Sequence, residues 1–149
     1  MTESLHLAFE VACGPEAAFS MWTTRASTWW PADHSVSGER GVQVVFEDHV
    51  GGRIFERTPG GVEHEWGRVT AWEPPSRLSY TWHLRFSPED ATDVEIRFVD
   101  AGGDRTRVEI DHSGWERLGE RAPQRREGNR LGWTSVLPHF VEASERGDG

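Results

Sequence analysis

The stretch Leu131–Ser144, LGWTSVLPHFVEAS, decides the fold. Trp133, Val136, Leu137, Phe140 and Val141 recur at i, i+3, i+4, i+7 and i+8, one apolar stripe at the helical period. No other part of the chain carries a long helical pattern, and nearly everything upstream reads as short strands. A sheet with one apolar face needs a partner to cover it, so this helix is expected to be the rod around which the sheet curves. Pro138 lies inside the stripe, where it removes a backbone donor and crowds the carbonyl of Thr134; a kink is expected there.

Working back to the start, Ser4–Val11 alternates, with Leu5, Leu7, Phe9 and Val11 on one face. Cys13-Gly14-Pro15-Glu16 then opens a short helix through Trp22, and Arg25–Trp30 forms a second turn that Pro31 ends. Strands follow at Val42–Val50, Arg53–Arg57, Glu63–Glu73 and Arg77–Arg85, separated by Gly51-Gly52, Pro59-Gly60-Gly61 and Pro74-Pro75. Gly67, inside the longest of these, marks a bulge or a close approach. Thr92–Val99 places Val94, Ile96 and Phe98 inward, and Thr106–His112 does the same with Val108, Ile110 and His112. This makes an α+β chain: about seven mostly antiparallel strands, two short helices after the first strand, and a long C-terminal helix. Residues 1–149 are expected to form a single domain, with Glu145–Gly149 frayed.

Composition removes several classes of function. The net charge is −9 and all sixteen basic residues are arginine, so a phosphate backbone is repelled and nucleic-acid binding is not expected. Without lysine there is no Schiff-base chemistry. Cys13 is the one cysteine, which rules out an intrachain disulfide and a thiolate-only metal site. The opening MTESLHLAFE has neither a charged n-region nor an apolar run, and nowhere do eighteen apolar residues adjoin. A cytoplasmic protein without membrane insertion is the expectation. Eight Trp and seven Phe supply much of the apolar volume, and so many rings suggest either a wide interior or a Trp-rich solid core.

The order of elements is that of the helix-grip fold, and particular residues go further. Trp29-Trp30-Pro31, Gly51-Gly52-Arg53, GRVTAWEPPSRLSYTW at Gly67–Trp82, TRVEIDHSGW at Thr106–Trp115 and Gly132-Trp133 opening the helix occur together. In these the chain resembles the bacterial homologues of the activator of heat-shock protein 90 ATPase, within the START-like (SRPBCC) superfamily. The resemblance covers nearly the whole chain. It implies a deep apolar cavity between the curved sheet and the last helix. It implies function weakly, since such folds host carriers, receptors, cyclases and co-chaperones.

The residues themselves show no convincing catalytic set. His49, His64, His83 and His112 fall on different strands without metal-ligand spacing, so neither a metal nor another cofactor is expected. By parity His112 alone shares a face with clearly apolar neighbours, and it reads as a satisfied inward histidine. Cys13 has no base placed beside it, and no G-x-S-x-G elbow is present. Among Glu47, Glu56, Glu63 and Glu65 one could face inward, but Gly67 obscures the register.

The binding residues expected from the pattern are Tyr80, Trp82 and His112 on the strands, and Trp133 and Phe140 on the helix. Extending the Trp133 stripe toward the N-terminus reaches Asn129, Arg130 and Arg126. If the helix already runs there, these polar groups line a cavity mouth and an arginine can pair with a carboxylate or phenolate. If Arg121–Asn129 is a solvated loop, they do not; both readings stand. The leading expectation is a binder of a small apolar or aromatic molecule. A polyketide cyclase-like or hydrolase-like enzyme using the same cavity is the alternative, and a co-chaperone with a chaperone partner is the third.

Overall fold

The computed structural model describes residues 3–146. Seven strands, β1 (Leu5–Val11), β2 (Gln43–Phe46), β3 (Arg53–Arg57), β4 (Glu63–Glu73), β5 (Arg77–Trp82), β6 (Thr92–Gly102) and β7 (Arg105–Ser113), form one curved antiparallel sheet. Its order is β1-β7-β6-β5-β4-β3-β2, so every pair but β1–β7 joins consecutive strands. Helix α1 (Pro15–Trp22) follows β1, and α2 (Ala122–Arg146) ends the described chain. Pro15 occupies the first helical position of α1, where its missing N–H would have had no partner anyway.

The alternation of the last two strands holds. Thr92, Val94, Ile96 and Phe98 of β6 are buried, as are Thr106, Val108, Ile110 and His112 of β7. Opposite them, Arg97 donates to Glu95, Glu109 and Asp111 on the outer face. Such half-exposed pairs contribute little to stability but keep that face in water.

The expected stripe of α2 is also the buried one: Trp133, Val136, Leu137 and Phe140 lie inward, and Ala143 continues the row. The Phe140 ring meets Trp22 of α1 at 4.9 Å and Trp29 at 5.2 Å, while Trp22 also stacks on Trp133 at 6.1 Å. Aromatic contacts of this kind add roughly 0.5–1.5 kcal/mol each beyond the area they bury. They weld α1, α2 and the segment after α1 into one layer over the sheet.

Several expectations change. Helix α2 begins at Ala122, nine residues before Leu131, so Arg121–Asn129 is not a solvated loop. The 3₁₀ segment Trp115–Arg121 leads into it, anchored by buried Trp115 and Leu118. Its Gly119 turns the chain at φ 57°. Pro138 lies inside α2, as expected, and is exposed. Strand β2 ends at Phe46 rather than Val50, and β5 ends at Trp82 rather than Arg85. His49 therefore lies in a loop and His83 in a turn, not on strands. Of the expected frayed end, Glu145 and Arg146 belong to α2, and residues 147–149 lie outside the described residues.

Besides a shift at the β6–β7 turn between Asp100 and Gly102, two register shifts lie within the body of the sheet. One falls in the β3–β4 pairing between Ile54 and Phe55, the other in β4–β5 between Val69 and Ala71. The first places its extra residue, Trp66, on β4 and leaves β3 alternating. Ile54 and Glu56 share the inward face, while Phe55 on the other face is covered by the Arg53 and Arg57 guanidiniums at 4.2 and 5.4 Å. Among the described residues no helix is long and apolar enough to cross a membrane.

Candidate functional site

Between the β5 end of the sheet and the N-terminal half of α2 lies a cavity of about 720 Å³. Trp30, Trp82 and Trp133 are its indole-bearing walls, and Leu84, Phe86, Leu131 and Val136 add to the apolar lining. Trp30 and Trp82 are 5.9 Å apart, and both lean on the fully buried Trp66 at 5.1 and 5.6 Å. The bulge around Gly67 makes this cluster possible, since it lets Trp66 of β4 and Trp82 of β5 stand on the same side. A Cβ on Gly67 would lie 1.8 Å from the Thr81 carbonyl oxygen, so only glycine permits that approach.

The rim consists of two segments tied together. Residues 31–38 contribute Trp30's neighbour His34, and the turn after β5 contributes Arg85 and Phe86. Arg85 has a left-handed backbone, φ 67°, rare for a residue with a side chain. Its guanidinium secures that conformation by donating to the carbonyls of Ser35 at 2.9 Å and Asp33 at 2.7 Å. The His83 ring bridges the Phe86 carbonyl and the Glu65 carboxylate at the base of the turn.

Glu56 holds the other segment. Fully buried, it accepts hydrogen bonds from the Val36 N–H at 2.6 Å, the Ser37 N–H at 3.1 Å and the Trp66 indole at 2.8 Å. Burial alone would raise its pKa. The donors from Val36, Trp66 and Ser37 outweigh burial and hold it below the usual glutamate value. This is the inward carboxylate that the sequence left unassigned among four. It points at the rim segment and at Trp66, and it is not among the residues that line the cavity.

Of the expected binding residues, Trp82, Asn129 and Trp133 line the cavity. Tyr80 does not: it is buried behind Trp82 and Phe46, and burial pushes its phenol pKa far above the ordinary value. Phe140 lies deeper, in the seam with α1. Arg126 faces the other way and donates to the carbonyls of Glu3 at 2.6 Å and Ser4 at 3.3 Å. Arg130 is exposed and paired with Glu127 at 2.8 Å. Arg85 and Arg121 line the cavity from exposed positions, and the buried arginine in its wall is Arg125. It sits eleven residues before Val136, close to three full turns at ~3.6 residues per turn, so it shares the inward face. Trp133, from which the sequence stripe was extended, stands at the edge of that face. That offset explains why Arg126 was expected in its place.

His112 is a wall support and not a lining residue. The Trp133 indole N–H donates to its Nδ1 at 3.0 Å, and Nε2 lies 2.7 Å from the Thr92 hydroxyl. An indole can only donate, so Nδ1 is the unprotonated nitrogen and Nε2 carries the hydrogen. Trp115 packs on the ring at 4.4 Å. Burial, with a smaller contribution from the Arg125 charge, pushes its pKa down to about 3. The unfolded chain takes up a proton below about pH 6.5 while the folded chain does not, so stability is full above that pH and falls toward pH 3. Wild type should lose about 2 kcal/mol more than His112→Gln between pH 6.5 and about 5, at ~1.4 kcal/mol per unit. Parallel denaturant titrations at the two pH values measure this, and equal slopes would refute it.

No three His, Cys, Asp or Glu side chains among the described residues are grouped to hold a metal ion. Burial raises the Cys13 thiol pKa, against a hydrogen bond from Ser144 that lowers it.

A family model described as activator of Hsp90 ATPase homolog 1-like protein matches residues 12–145. Among solved structures, the chain is 29% identical to an anthrahydroquino-γ-pyrone synthase, with TM-score 0.65, covering 95% of this chain and 96% of that one. It is 26% identical to a self-sacrificing resistance protein, CalC from Micromonospora echinospora, with TM-score 0.71 and coverage of 94% and 92%. An HSP90 activator from Plasmodium falciparum shares the fold at 21% identity and TM-score 0.65, covering 95% of each chain. No curated protein matches in sequence.

Proposed function

This chain belongs to the activator of Hsp90 ATPase homolog 1-like family, and we propose that it binds a small apolar or aromatic molecule in the cavity between the curved sheet and α2. The observation that carries this reading is the set of three indoles, Trp30, Trp82 and Trp133, around about 720 Å³ of space. Rings on both walls can sandwich a flat ligand.

Two features of α2 support it. Gly128 and Gly132 lie one turn apart on the cavity face, and a Cβ on either would meet no atom within 4 Å. Glycine inside a helix costs about 1 kcal/mol relative to alanine, so helix stability is given up here in favour of open space. Phe86 and Leu131, 50% and 53% exposed, stand at the rim as apolar surface a ligand can cover.

Each buried methylene-sized portion contributes ~0.8 kcal/mol, enough for micromolar binding of a ligand of roughly a dozen carbons after association costs. Naphthalene- and anthraquinone-type probes should therefore change tryptophan emission saturably. Gly132→Phe should fill the cavity, weakening binding by at least about tenfold while the melting temperature stays level or rises. No saturable emission change with any probe, or unchanged affinity in Gly132→Phe, would overturn the reading.

The likeness to a synthase favours a second reading, ring-forming catalysis on an aromatic polyketide-like substrate in the same cavity. No Asp or Glu is among the described lining residues, so His34 would be the group that accepts and returns a proton. Chemical change of a bound poly-ketone substrate that His34→Ala abolishes would replace simple binding with this activity.

A further inference from the structure

Arg125 is the one buried arginine among the described residues, 9% exposed, and it lies in the first turn of α2 against the cavity. Its guanidinium carbon sits 3.4 Å over the centre of the Phe86 ring. Nη2 donates to the backbone carbonyl of Asp90 at 3.2 Å, while the buried Nε has no acceptor. The nearby carboxylate is already committed: Asp90 accepts from both terminal nitrogens of Arg121, at 2.9 and 3.3 Å. Burial pushes the Arg125 pKa down from the ordinary arginine value. The Asp90 charge opposes this and the Arg121 charge adds to it. A guanidinium nonetheless keeps its proton under all ordinary conditions.

A cation withdrawn from water is stabilised by an anion, and a single neutral carbonyl plus an aromatic face leaves it short of that. No carboxylate of the cavity lining supplies the charge. Phe86 fixes the plane of the guanidinium, and a planar fork is suited to a planar oxygen pair.

We propose that Arg125 selects the ligand: it pairs with an ionised oxygen, a carboxylate or an acidic phenol, on a flat aromatic molecule whose rings lie among Trp30, Trp82 and Trp133. This rests on the cavity being a ligand site. The occupant is then an aromatic acid rather than a neutral hydrocarbon or a fatty chain, and its acidic group lies at the α2 end, away from Trp66. Arg121 and Arg85 are the competing cations at the mouth, but both are exposed: Arg121 is neutralised by Asp90, and Arg85 is turned to the carbonyls of Ser35 and Asp33.

The test is a fluorescence titration of anthraquinone carboxylate against anthraquinone carboxamide, and of a hydroxyanthraquinone below and above its phenol pKa. Wild type should prefer the carboxylate by about tenfold or more, and the ionised phenol over the neutral one. The preference should persist at about 1 M salt, where screening of exposed charges is complete within ~3 Å. Arg125→Gln should abolish the preference while holding carboxamide affinity within about threefold, and Arg125→Lys should restore part of it. Arg126→Gln, on the outer face, should leave it intact. Equal binding of acid and amide by wild type would overturn the role of Arg125 and leave the cavity as a site for neutral ligands. So would a preference that survives Arg125→Gln but not Arg121→Gln. Failure of every probe to bind would overturn both this inference and the binding function beneath it.

Discussion

Gly67→Ala should destabilise the protein by at least about 3 kcal/mol and disturb ligand binding in whatever fraction still folds. The added Cβ would lie 1.8 Å from the Thr81 carbonyl oxygen and 2.8 Å from its carbon. Both are backbone atoms of the adjoining strand, so no side-chain rotation relieves the clash. Beside it, the His83 N–H donates to the Trp66 carbonyl at 2.7 Å and the Arg68 N–H to the Thr81 hydroxyl at 3.0 Å. Pushing β5 away from β4 breaks these bonds and separates Trp66 from Trp82. Urea denaturation monitored by tryptophan emission measures the loss. A cost below about 1 kcal/mol would mean that the two strands part easily and that the approach at Gly67 is not what seats the indole cluster.

The second large effect is expected at Glu56. Glu56→Ala leaves three donors, the Val36 and Ser37 N–H groups and the Trp66 indole, without an acceptor in a buried setting. Each orphaned donor costs roughly 1–3 kcal/mol, so three of them should cost about 3 kcal/mol or more. Glu56→Gln should fall between wild type and alanine, because one amide oxygen still accepts while the amide nitrogen faces donors. The rim segment that Glu56 holds carries His34 and adjoins Trp30, so both variants should also weaken probe binding. Denaturant midpoints for the three proteins give the order directly, and Glu56→Ala within about 1 kcal/mol of wild type would show that water replaces the carboxylate.

Most of the architecture is legible in the residues one by one. Alternation at period two placed Val94, Ile96 and Phe98 against Val108, Ile110 and His112. The row Trp133, Val136, Leu137 and Phe140 marked the covering face of α2. These are local patterns, repeated within a strand or a helix, and any segment that keeps its period shows them. His112 as a satisfied inward residue was readable for the same reason. The tertiary structure alone decided the rest. Glu56 shares the inward face of β3 with Ile54, but which face of so short a strand is inward is set by its pairing with β4. There Trp66 is an extra residue, and pairing belongs to two strands, not to either one. Tyr80 has the parity of a wall residue, yet Trp82 and Phe46 stand in front of it. Helix α2 begins at Ala122 because Trp115 and Leu118 anchor the turn before it, while residues 122–130 are too polar to show a helical stripe of their own. Whether Arg125 or Arg126 faces the cavity is a difference of one residue, or ~100° around the helix, and the sheet beneath α2 sets that angle.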